Sequence, residues 1–388
     1  ILTQKQRYVT LIVSAPVNVN ENCTGDYTIG LCMAKPRRIT IKEIAEEAGV
    51  SMQTVSRVLN NRPDVATETR RRVKEIIASH NYHPSSVARG ITQGRSYILG
   101  VISASLHYHG PAGLLMGIEK HASALGYTII LRVVPELDQF SIDEHLNFFQ
   151  SQHVDGIVWT LPEIGDLRAT ILEKVPQLQI PTVFGNVQPH PDLIVHDFDN
   201  RCGSRKAVDH LLTQGFTTIG LITGPMPWLS ARDRWLGWRD AIEAAGYAPT
   251  DDLITQGDWS AESGERGLRQ LLDQRPDIDA VFVSNDRMAL GAMKAARQLE
   301  LAIPDDLGMV GYDNILEADF FYPPLTTITN DFESISHMIV QTLDQMISAV
   351  PYDEDAVEPQ TYLFEPDLIV RKSSIKKHQP KGGNPSTS

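Results

Sequence analysis

Polar side chains lie at or between short apolar runs in the second half of the chain, where they could bind a small polar ligand. Asn285 follows the run AVFVS, Asp313 follows the run GMVGY, and Arg234 and Trp259 lie between such runs. Carboxylate, amide and guanidinium groups can pair with sugar hydroxyls, and an indole ring can pack against the C–H face of a sugar. These residue types predict a site for a polyhydroxylated ligand. Further carboxylates follow apolar runs at Asp197, Asp199 and Asp286.

Each of these residues also has a purely structural interpretation. Arg234 can pair with a neighbouring acid, Trp259 can belong to the core, and Asp286 can cap a helix. His107 and His109 lack Cys or acidic companions at metal-ligand spacing, so we expect no metal site. The sequence contains no phosphate-binding Walker loop, GxSxG elbow or HExxH motif. We therefore expect no cofactor, no catalytic residues and no enzyme.

Length and charge divide the chain into parts with different partners. With 388 residues, it exceeds twice the roughly 150 residues of a typical domain, so we expect at least two folded units. Residues 35–95 carry 12 Lys and Arg against 6 Asp and Glu, whereas residues 96–370 carry 16 against 40. This division favours a small polyanion-binding unit joined to an acidic body.

The N-terminal region and the cysteines favour the cytoplasm. We interpret residues 1–36 as an unstructured or non-native extension, with Met33 as the true start. A secretory signal needs an uninterrupted apolar core, and polar residues and a proline interrupt the candidate core in this segment. Three cysteines are too few for a disulfide framework. No apolar run approaches the roughly 18 residues of a membrane helix, so we expect no membrane partner.

Residues 37–82 have the pattern of three short helices. Thr40 and Glu43 form a capping box, which predicts a helix that ends near Gly49. Ser51 can cap a second helix, and a third is predicted from about Thr67. Two short helices joined by a tight glycine turn, with a third packed across them, indicate a helix-turn-helix. The predicted buried positions are Val55, Val58, Leu59, Val73, Ile76 and Ile77, and the basic residues Arg70, Arg71, Arg72 and Lys74 are predicted to be solvated.

The second helix of a helix-turn-helix enters the major groove of DNA. We predict base contacts from Met52, Gln53 and Arg57, because Gln pairs with adenine, Arg pairs with guanine and Met can pack on a thymine methyl group. The alternative is an ordinary helical bundle with a solvated basic face. The predicted contacts to the DNA backbone are Thr40, Ser51, Thr54, Ser56 and Asn61.

Residues 39–60 closely resemble the lactose-repressor (LacI/GalR) family of bacterial transcription regulators, with the sequence ITIKEIAEEAGVSMQTVSRVLN. The resemblance runs to about residue 370 and includes SARDRWLGW at 230–238, GDWSAESG at 257–264, NDRMALGAM at 285–293 and PPLTTI at 323–328. It implies a sugar pocket lined by His107, Arg234, Trp259, Asn285, Asp313 and Asn330, with residues 107–110 contributed by the first lobe.

Residues 83–95 are predicted to be a hinge. Barely two helical turns fit between Pro84 and Gly94, and so short a helix is marginal in water, so we expect it to fold only on a partner. The resemblance implies a hinge helix in the minor groove that uses Val87, Ala88, Arg89 and Ile91, with Ile91 as the wedge between base pairs. The alternative is a plain flexible linker.

Residues 96–370 alternate apolar runs with amphipathic stretches, which predicts an α/β body of parallel sheets flanked by helices. Its length favours two lobes of the periplasmic-binding-protein type with effector-binding and dimerisation roles. We expect the chain to cross between lobes near residues 196–200 and to return near 325–330. Residues 371–388 lack an apolar repeat and are predicted to be a disordered tail that supports no tetramer.

Together these patterns predict a cytoplasmic repressor of sugar-utilisation genes. As a homodimer it would bind a near-palindromic DNA operator, and a sugar effector would release it. Two alternatives remain open at this point. One is a regulator that responds to a non-sugar corepressor of the purine type. The other is the sugar-binding receptor of a transporter, which should have a signal peptide and no DNA-binding unit.

Overall fold

The computed structural model describes residues 39–59, 62–80, 82, 95–134, 141–164, 167–174, 177, 179–349 and 357–376. The chain forms two compact units, Ile1–Pro84 and Ser85–Ser388, so the division falls inside the predicted linker of residues 83–95. Within the described ranges, no helix has the length and apolar character needed to span a bilayer.

The described part of the first unit forms the helices α1 (Ile41–Ala48), α2 (Met52–Leu59) and α3 (Thr67–Ser79). The capping box at the start of α1 is formed: the Glu43 amide donates to Thr40 Oγ1 at 3.3 Å, and the Thr40 amide donates to Glu43 Oε2 at 2.8 Å. Gly49 ends α1 in the left-handed conformation, with φ of +65°, which a residue with a Cβ adopts only at a cost. The predicted positions of the three helices are confirmed.

Apolar residues from all three helices form the core of this unit. Ile44, Val55, Val58 and Val73 are at most 1% exposed. The opposite face of α3 is solvated, and there Arg71 forms ion pairs with Glu68 and Glu75. The amphipathic spacing of the sequence therefore fixes which side of each helix packs inward.

The second unit contains two six-stranded sheets. The first has the strand order β11–β5–β4–β3–β1–β2, and the second has the order β12–β10–β9–β8–β6–β7. All strand pairs are parallel except β10 with β12. This confirms the predicted two-lobed α/β fold. The strands are β1 (Ile98–Ala104), β2 (Thr128–Val134), β3 (Gly156–Trp159), β4 (Thr182–Phe184), β5 (Val195–Phe198), β6 (Ile219–Thr223), β7 (Ile254–Gln256), β8 (Ala280–Val283), β9 (Gly308–Tyr312), β10 (Thr326–Thr329), β11 (Thr361–Phe364) and β12 (Asp367–Ile369).

Helices flank both sheets and bury the strands, which are nearly all apolar in the centre of each sheet. The helices of the first lobe that precede β5 in sequence are α4 (His109–Ala124), α5 (Ile142–Ser151) and α6 (Leu167–Lys174). Those of the second lobe are α7 (Asn200–Thr213), α8 (Leu229–Ala244), α9 (Ala261–Gln274) and α10 (Asp286–Gln298). The last helix, α11 (Phe332–Ser348), packs on α4 and on the first sheet.

Over the residues that the structure describes, the chain passes between the two sheets three times. It crosses after β5 and returns after β10, as the sequence predicts, and it crosses again between β11 and β12. The third crossing was not predicted, because β11 and β12 are short and only partly buried.

The prediction of a disordered tail from Arg371 onward is wrong for residues 371–376. Residues Lys372–Ser374 form a 3-10 helix in which Ser373 and Ser374 are fully buried. Ser373 Oγ accepts from the Thr326 amide at 2.8 Å and donates to the Met309 carbonyl at 2.7 Å. These hydrogen bonds, and not apolar side chains, hold the segment in place. Its polar composition therefore gave no apolar pattern from which an ordered segment could be predicted.

Candidate ligand pocket and nucleic-acid interface

A cavity of about 120 Å³ lies between the two sheets of the second unit. Residues at or just beyond the carboxyl ends of parallel strands line it, which is where open α/β sheets bind ligands. The first-lobe residues follow or lie in β1, β3, β4 and β5, and those of the second lobe follow β6, β7, β8, β9 and β10. The lining residues with charged, amide, aliphatic hydroxyl or imidazole groups are His109, Thr160, Asn186, His196, Asp197, Asn200, Ser230, Arg234, Asn285, Arg287, Asp313 and Asn330.

Arg234 forms the polar centre of this pocket. It lies on α8 and is 7% exposed. Its Nε donates to Asn200 Oδ1 at 2.9 Å, its Nη1 donates to the Ser284 carbonyl, and Nη1 lies 3.8 Å from Asp313 Oδ1. The guanidinium carbon lies 3.5 Å from the centre of the Tyr312 ring. Arg234 is therefore fixed in place, and its charge is balanced within the pocket.

Asp313 follows β9 and faces Arg234. Its side chain is 12% exposed, and its backbone has a φ of +108°. Burial raises the pKa of Asp313, while the neighbouring Arg234 charge acts in the opposite direction. A non-glycine residue in this backbone region is strained by about 1 to 3 kcal/mol, and such strain concentrates at functional sites. The arrangement presents a carboxylate and a guanidinium side by side, as a vicinal pair of hydroxyl groups requires.

Trp259 forms an aromatic wall next to this pair. Its φ is +72°, its side chain is 6% exposed, and its ring lies against Gly224, where an added Cβ would come within 2.1 Å of the indole. Among the described residues, the buried Nε1 of Trp259 and Oδ1 of Asn330 have no hydrogen-bond partner. Buried polar groups normally have one, so these two atoms are candidates to bind a ligand or water.

Asn285 has a structural task as well as a place in the pocket. Its Oδ1 accepts from the Met288 amide at 2.8 Å as the N-cap of α10, and its Nδ2 donates to the Trp259 carbonyl at 3.2 Å.

Asp286 does not line the cavity. Its carboxylate instead accepts hydrogen bonds from Thr327 and from the Ile315 amide, so it ties α10 to β10 and to the loop after β9.

The prediction that His107 lines the pocket is wrong. His107 is exposed, and the lining begins at Tyr108 and His109, because α4 starts at His109 and directs the following residues toward the second lobe. The other five predicted pocket residues all line the cavity.

Sequence reasoning missed several lining residues. Asn186 follows β4 with a φ of +60°, and its amide donates to Asp197 at 3.0 Å. Burial raises the pKa of Asp197 to about 7 against the lowering effect of its backbone hydrogen bonds. Trp228 adds an aromatic ring, and Tyr108, from the predicted segment 107–110, adds another. For Asn186 the available signal was its position just after a strand, and β4 was too short to be noticed.

The candidate nucleic-acid interface is the exposed face of α2. Met52 is 52% exposed, Gln53 is exposed, and Val55 and Val58 are buried on the opposite face. The Arg57 guanidinium is half exposed and lies 3.3 Å from Asp64. Arg57 must leave this weak surface ion pair in order to contact a base.

The predicted backbone-contacting residues cluster at two helix starts. Thr40 is held in its capping box, and Ser51 Oγ accepts from the Thr54 amide at 3.1 Å as the N-cap of α2. Both hydroxyl groups remain exposed, while Thr54 and Ser56 are partly buried. Asn61 and the hinge residues Val87, Ala88, Arg89 and Ile91 lie outside the described residues. In the part of the chain that is described, no three His, Cys, Asp or Glu residues form a metal-binding group.

Known proteins resemble the chain in both units. The family model for bacterial regulatory proteins of the lacI family matches residues 40–85, and that for a periplasmic binding protein-like domain matches residues 208–374. The lactose operon repressor of Escherichia coli (strain K12) is 33% identical over 308 residues, 79% of this chain and 84% of that protein.

Two further similarities extend over more of the chain. The HTH-type transcriptional repressor PurR of Actinobacillus pleuropneumoniae serotype 3 (strain JL03) is 32% identical over 338 residues, 86% of this chain and 98% of that protein. The crystal structure of the lac repressor dimer bound to operator and the anti-inducer ONPF has a TM-score of 0.76 and 32% identity, and the match covers 87% of this chain and all of that chain.

Proposed function

The chain belongs to the lacI family of bacterial regulatory proteins, and from this premise we propose that it is a repressor of sugar-utilisation genes that a bound sugar releases from its operator. The proposal that the effector is a sugar rests on one observation: Arg234, Asp313 and Trp259 line the same cavity near the strand ends. A guanidinium, a carboxylate and a flat aromatic ring recognise the hydroxyl groups and the C–H face of a sugar.

The DNA-binding half of the proposal uses the exposed face of α2. Met52, Gln53 and Arg57 share that face, and such residues at the start of a recognition helix contact base edges in the major groove. Thr40 and Ser51, at the starts of α1 and α2, would contact phosphates of the DNA backbone. The solved relative is a dimer on its operator. We extend this state to the present chain, and a two-fold dimer requires a near-palindromic operator.

The two sites would communicate through residues 83–95, which connect the two units in sequence. Sugar binding would change the arrangement of the lobes and with it the positions of the two hinge segments in the dimer, so that Val87, Ala88, Arg89 and Ile91 could no longer pair in the minor groove. A coupling free energy of about 1 to 3 kcal/mol would lower operator affinity about 5-fold to 150-fold.

The similarity to PurR keeps a second candidate open. In that candidate the same pocket binds a purine-type corepressor that strengthens operator binding. The charge pair of Arg234 and Asp313 fits a sugar better, because it presents both a donor and an acceptor to adjacent hydroxyl groups. Neither candidate requires catalysis, which agrees with relatives that are named as repressors. The proposal includes a cytoplasmic location, because the proposed partner is operator DNA.

A ligand screen followed by a DNA-binding assay tests this function. Thermal-shift measurements with monosaccharides, disaccharides and purines identify compounds that raise the melting temperature. A mobility-shift titration on the DNA upstream of the protein's own and neighbouring genes then measures operator affinity with and without the compound. We expect a saccharide that stabilises the protein and weakens operator binding. A purine that strengthens binding would establish the corepressor candidate, and the absence of any preference for a palindrome would overturn both.

A further inference from the structure

A single carboxylate holds the backbone of the segment through which the chain enters the first lobe. The amides of Ser96 and Tyr97 donate to Oδ1 and Oδ2 of Asp155 at 2.8 and 2.7 Å. The Tyr97 carbonyl accepts from the Thr128 amide at 2.8 Å, and the centre of its ring lies 5.7 Å from that of the Tyr127 ring. Hydrogen bonds to an ionised group are roughly twice as strong as neutral ones. The residues just before β1 are therefore fixed through both their amides and their carbonyl.

Arg95, the last residue of the predicted hinge, has a second anchor on the first lobe. Its Nη2 donates to the Ile347 carbonyl at 2.7 Å, in the last turn of α11. Carbonyl groups at a helix C-terminus lack intrahelical partners and interact favourably with a cation. The Tyr127 hydroxyl donates to Asp344 Oδ1 at 2.8 Å and so ties the same end of α11 to the segment before β2. The hinge thus ends on two elements, α11 and the residue before β3.

Both of these elements line the cavity at their opposite ends. The first residue of α11, Phe332, lines the cavity, and β3, which directly follows Asp155, leads to the lining residue Thr160. The packing around α11 is close, since a Cβ added at Gly117 of α4 would come within 2.6 Å of Ser336 Cβ. Closely packed elements shift as units and do not deform gradually. A shift of α11 or β3 at the cavity would therefore move an anchor of the hinge.

From this geometry we propose that Asp155 is a positioning residue for the hinge, and that its carboxylate transmits occupancy of the cavity to residues 83–95. The inference rests on the proposed release of the operator by a sugar. The φ of Tyr97 is +55°, an unfavourable value for a residue with a Cβ, and the hydrogen bonds to Asp155 hold the segment in this conformation. Without them the segment would act as additional flexible linker residues, and a change within the lobe would no longer reach the hinge.

The second lobe repeats this arrangement within its own sheet and so supplies a matched control. Asp279 directly precedes β8, as Asp155 directly precedes β3. Its carboxylate accepts from the amides of Thr217 and Thr218, just before β6, at distances between 2.9 and 3.1 Å. The segment that Asp279 holds joins α7 to β6. Comparison of the two acids therefore separates an effect on the hinge from an effect on the stability of a lobe.

Mobility-shift titrations of the full-length wild type, Asp155→Asn and Asp279→Asn measure the coupling. The DNA is the region upstream of the protein's own gene, and its affinity is measured without sugar and with lactose, galactose, glucose and ribose in turn. The ratio of the affinities without and with sugar is the informative quantity. Asparagine offers one acceptor oxygen in place of two, so each variant loses part of its amide pairing. Arg95→Met removes the other anchor and serves if Asp155→Asn does not fold.

We expect Asp155→Asn to reduce the wild-type ratio at least about threefold, while its sugar affinity without DNA, measured by calorimetry, stays within about twofold. Asp279→Asn should lower the melting temperature to a similar extent and keep the ratio within about twofold. An unchanged ratio in Asp155→Asn, or equal reductions in the two variants, would overturn the inference and leave the proposed function in place. A wild type whose affinity for this DNA responds to none of the sugars would overturn the proposed release by a sugar, and the inference with it.

Discussion

The helix-turn-helix unit and the two-lobed body place functional residues in opposite ways. The candidate DNA-contacting residues Met52, Gln53 and Arg57 are neighbours in sequence on one helix, and their side chains are exposed. The pocket residues are spread from residue 108 to residue 335, and most are buried or partly buried. The first site is a property of one amphipathic helix, whereas the second exists only when two sheets have folded. Substitutions should therefore separate the two functions cleanly.

The largest effect should come from Asp313→Asn. Removing the carboxylate leaves Arg234 without its charge partner and removes a charged acceptor for the sugar, so we expect sugar affinity to fall by about 2 to 3 kcal/mol, or roughly 30-fold to 150-fold. Calorimetry measures this loss. Operator affinity without sugar should remain that of the wild type, and the exposed Asp258→Asn should change neither property. Equal losses at both sites would show that the two regions are not separable.

The next largest effect should come from Arg57→Ala or Gln53→Ala. Each removes one candidate base contact, so operator affinity should fall by about 1 to 3 kcal/mol. For Arg57 the loss should lie at the lower end, because the free protein also loses its ion pair with Asp64. A mobility shift on the operator and on random DNA checks this. Arg71→Ala, on the solvated face of α3, is the control. A similar loss of operator affinity for Arg71→Ala would indicate that DNA binding depends on general charge attraction and not on recognition of the base sequence.

The same contrast explains what the sequence could predict. Capping and periodicity act over a few residues, so Thr40, Gly49 and Ser51 define α1 and the start of α2 through local patterns alone. In the body, long apolar runs identified the central strands and their polar end residues. Short strands such as β4 and β7 gave no comparable pattern, and with β4 the pocket residue Asn186 was missed. His107 lies before the start of α4 and is exposed, and no local motif in the sequence predicts where α4 begins.

The two-lobed body contains buried acidic side chains with raised pKa values, and the variant Asp286→Asn tests how one of them affects stability. Burial, and then the charge of Asp313, raises the pKa of Asp286 to about 8, whereas an unfolded Asp ionises near pH 3.9. Because the raised pKa favours the neutral form, Asp286 lowers stability progressively as the pH rises from about 4 to about 8. The asparagine of the variant would carry no charge; its Oδ1 could accept from the Ile315 amide, and its Nδ2 could donate to Thr327 Oγ1, which reverses that hydrogen bond.

We therefore expect the stability difference between Asp286→Asn and the wild type to shift steadily in favour of the variant as the pH rises from 5 to 8. Denaturant unfolding at pH 5, 6.5 and 8 measures it. Asp279→Asn, a less buried acid of the same lobe, is the control. A difference that stays constant with pH would show that Asp286 is ionised throughout this range.

The smallest effect should come from Thr40→Ala. Loss of the capping box should destabilise the first unit by about 1 kcal/mol, because an N-cap hydroxyl is replaced by a methyl group. Hydrogen exchange of the α1 amides should increase, while exchange in the two sheets should not change. Faster exchange in the second unit would contradict the independence of the two regions.

The coupling between the two sites is the central claim, and calorimetric titration of the sugar with and without saturating operator tests it most directly. We expect the operator to weaken sugar binding by the same factor, about 5-fold to 150-fold, by which the sugar weakens operator binding, since coupling free energies are reciprocal. A sugar affinity that is identical in the presence and absence of operator DNA would contradict the account.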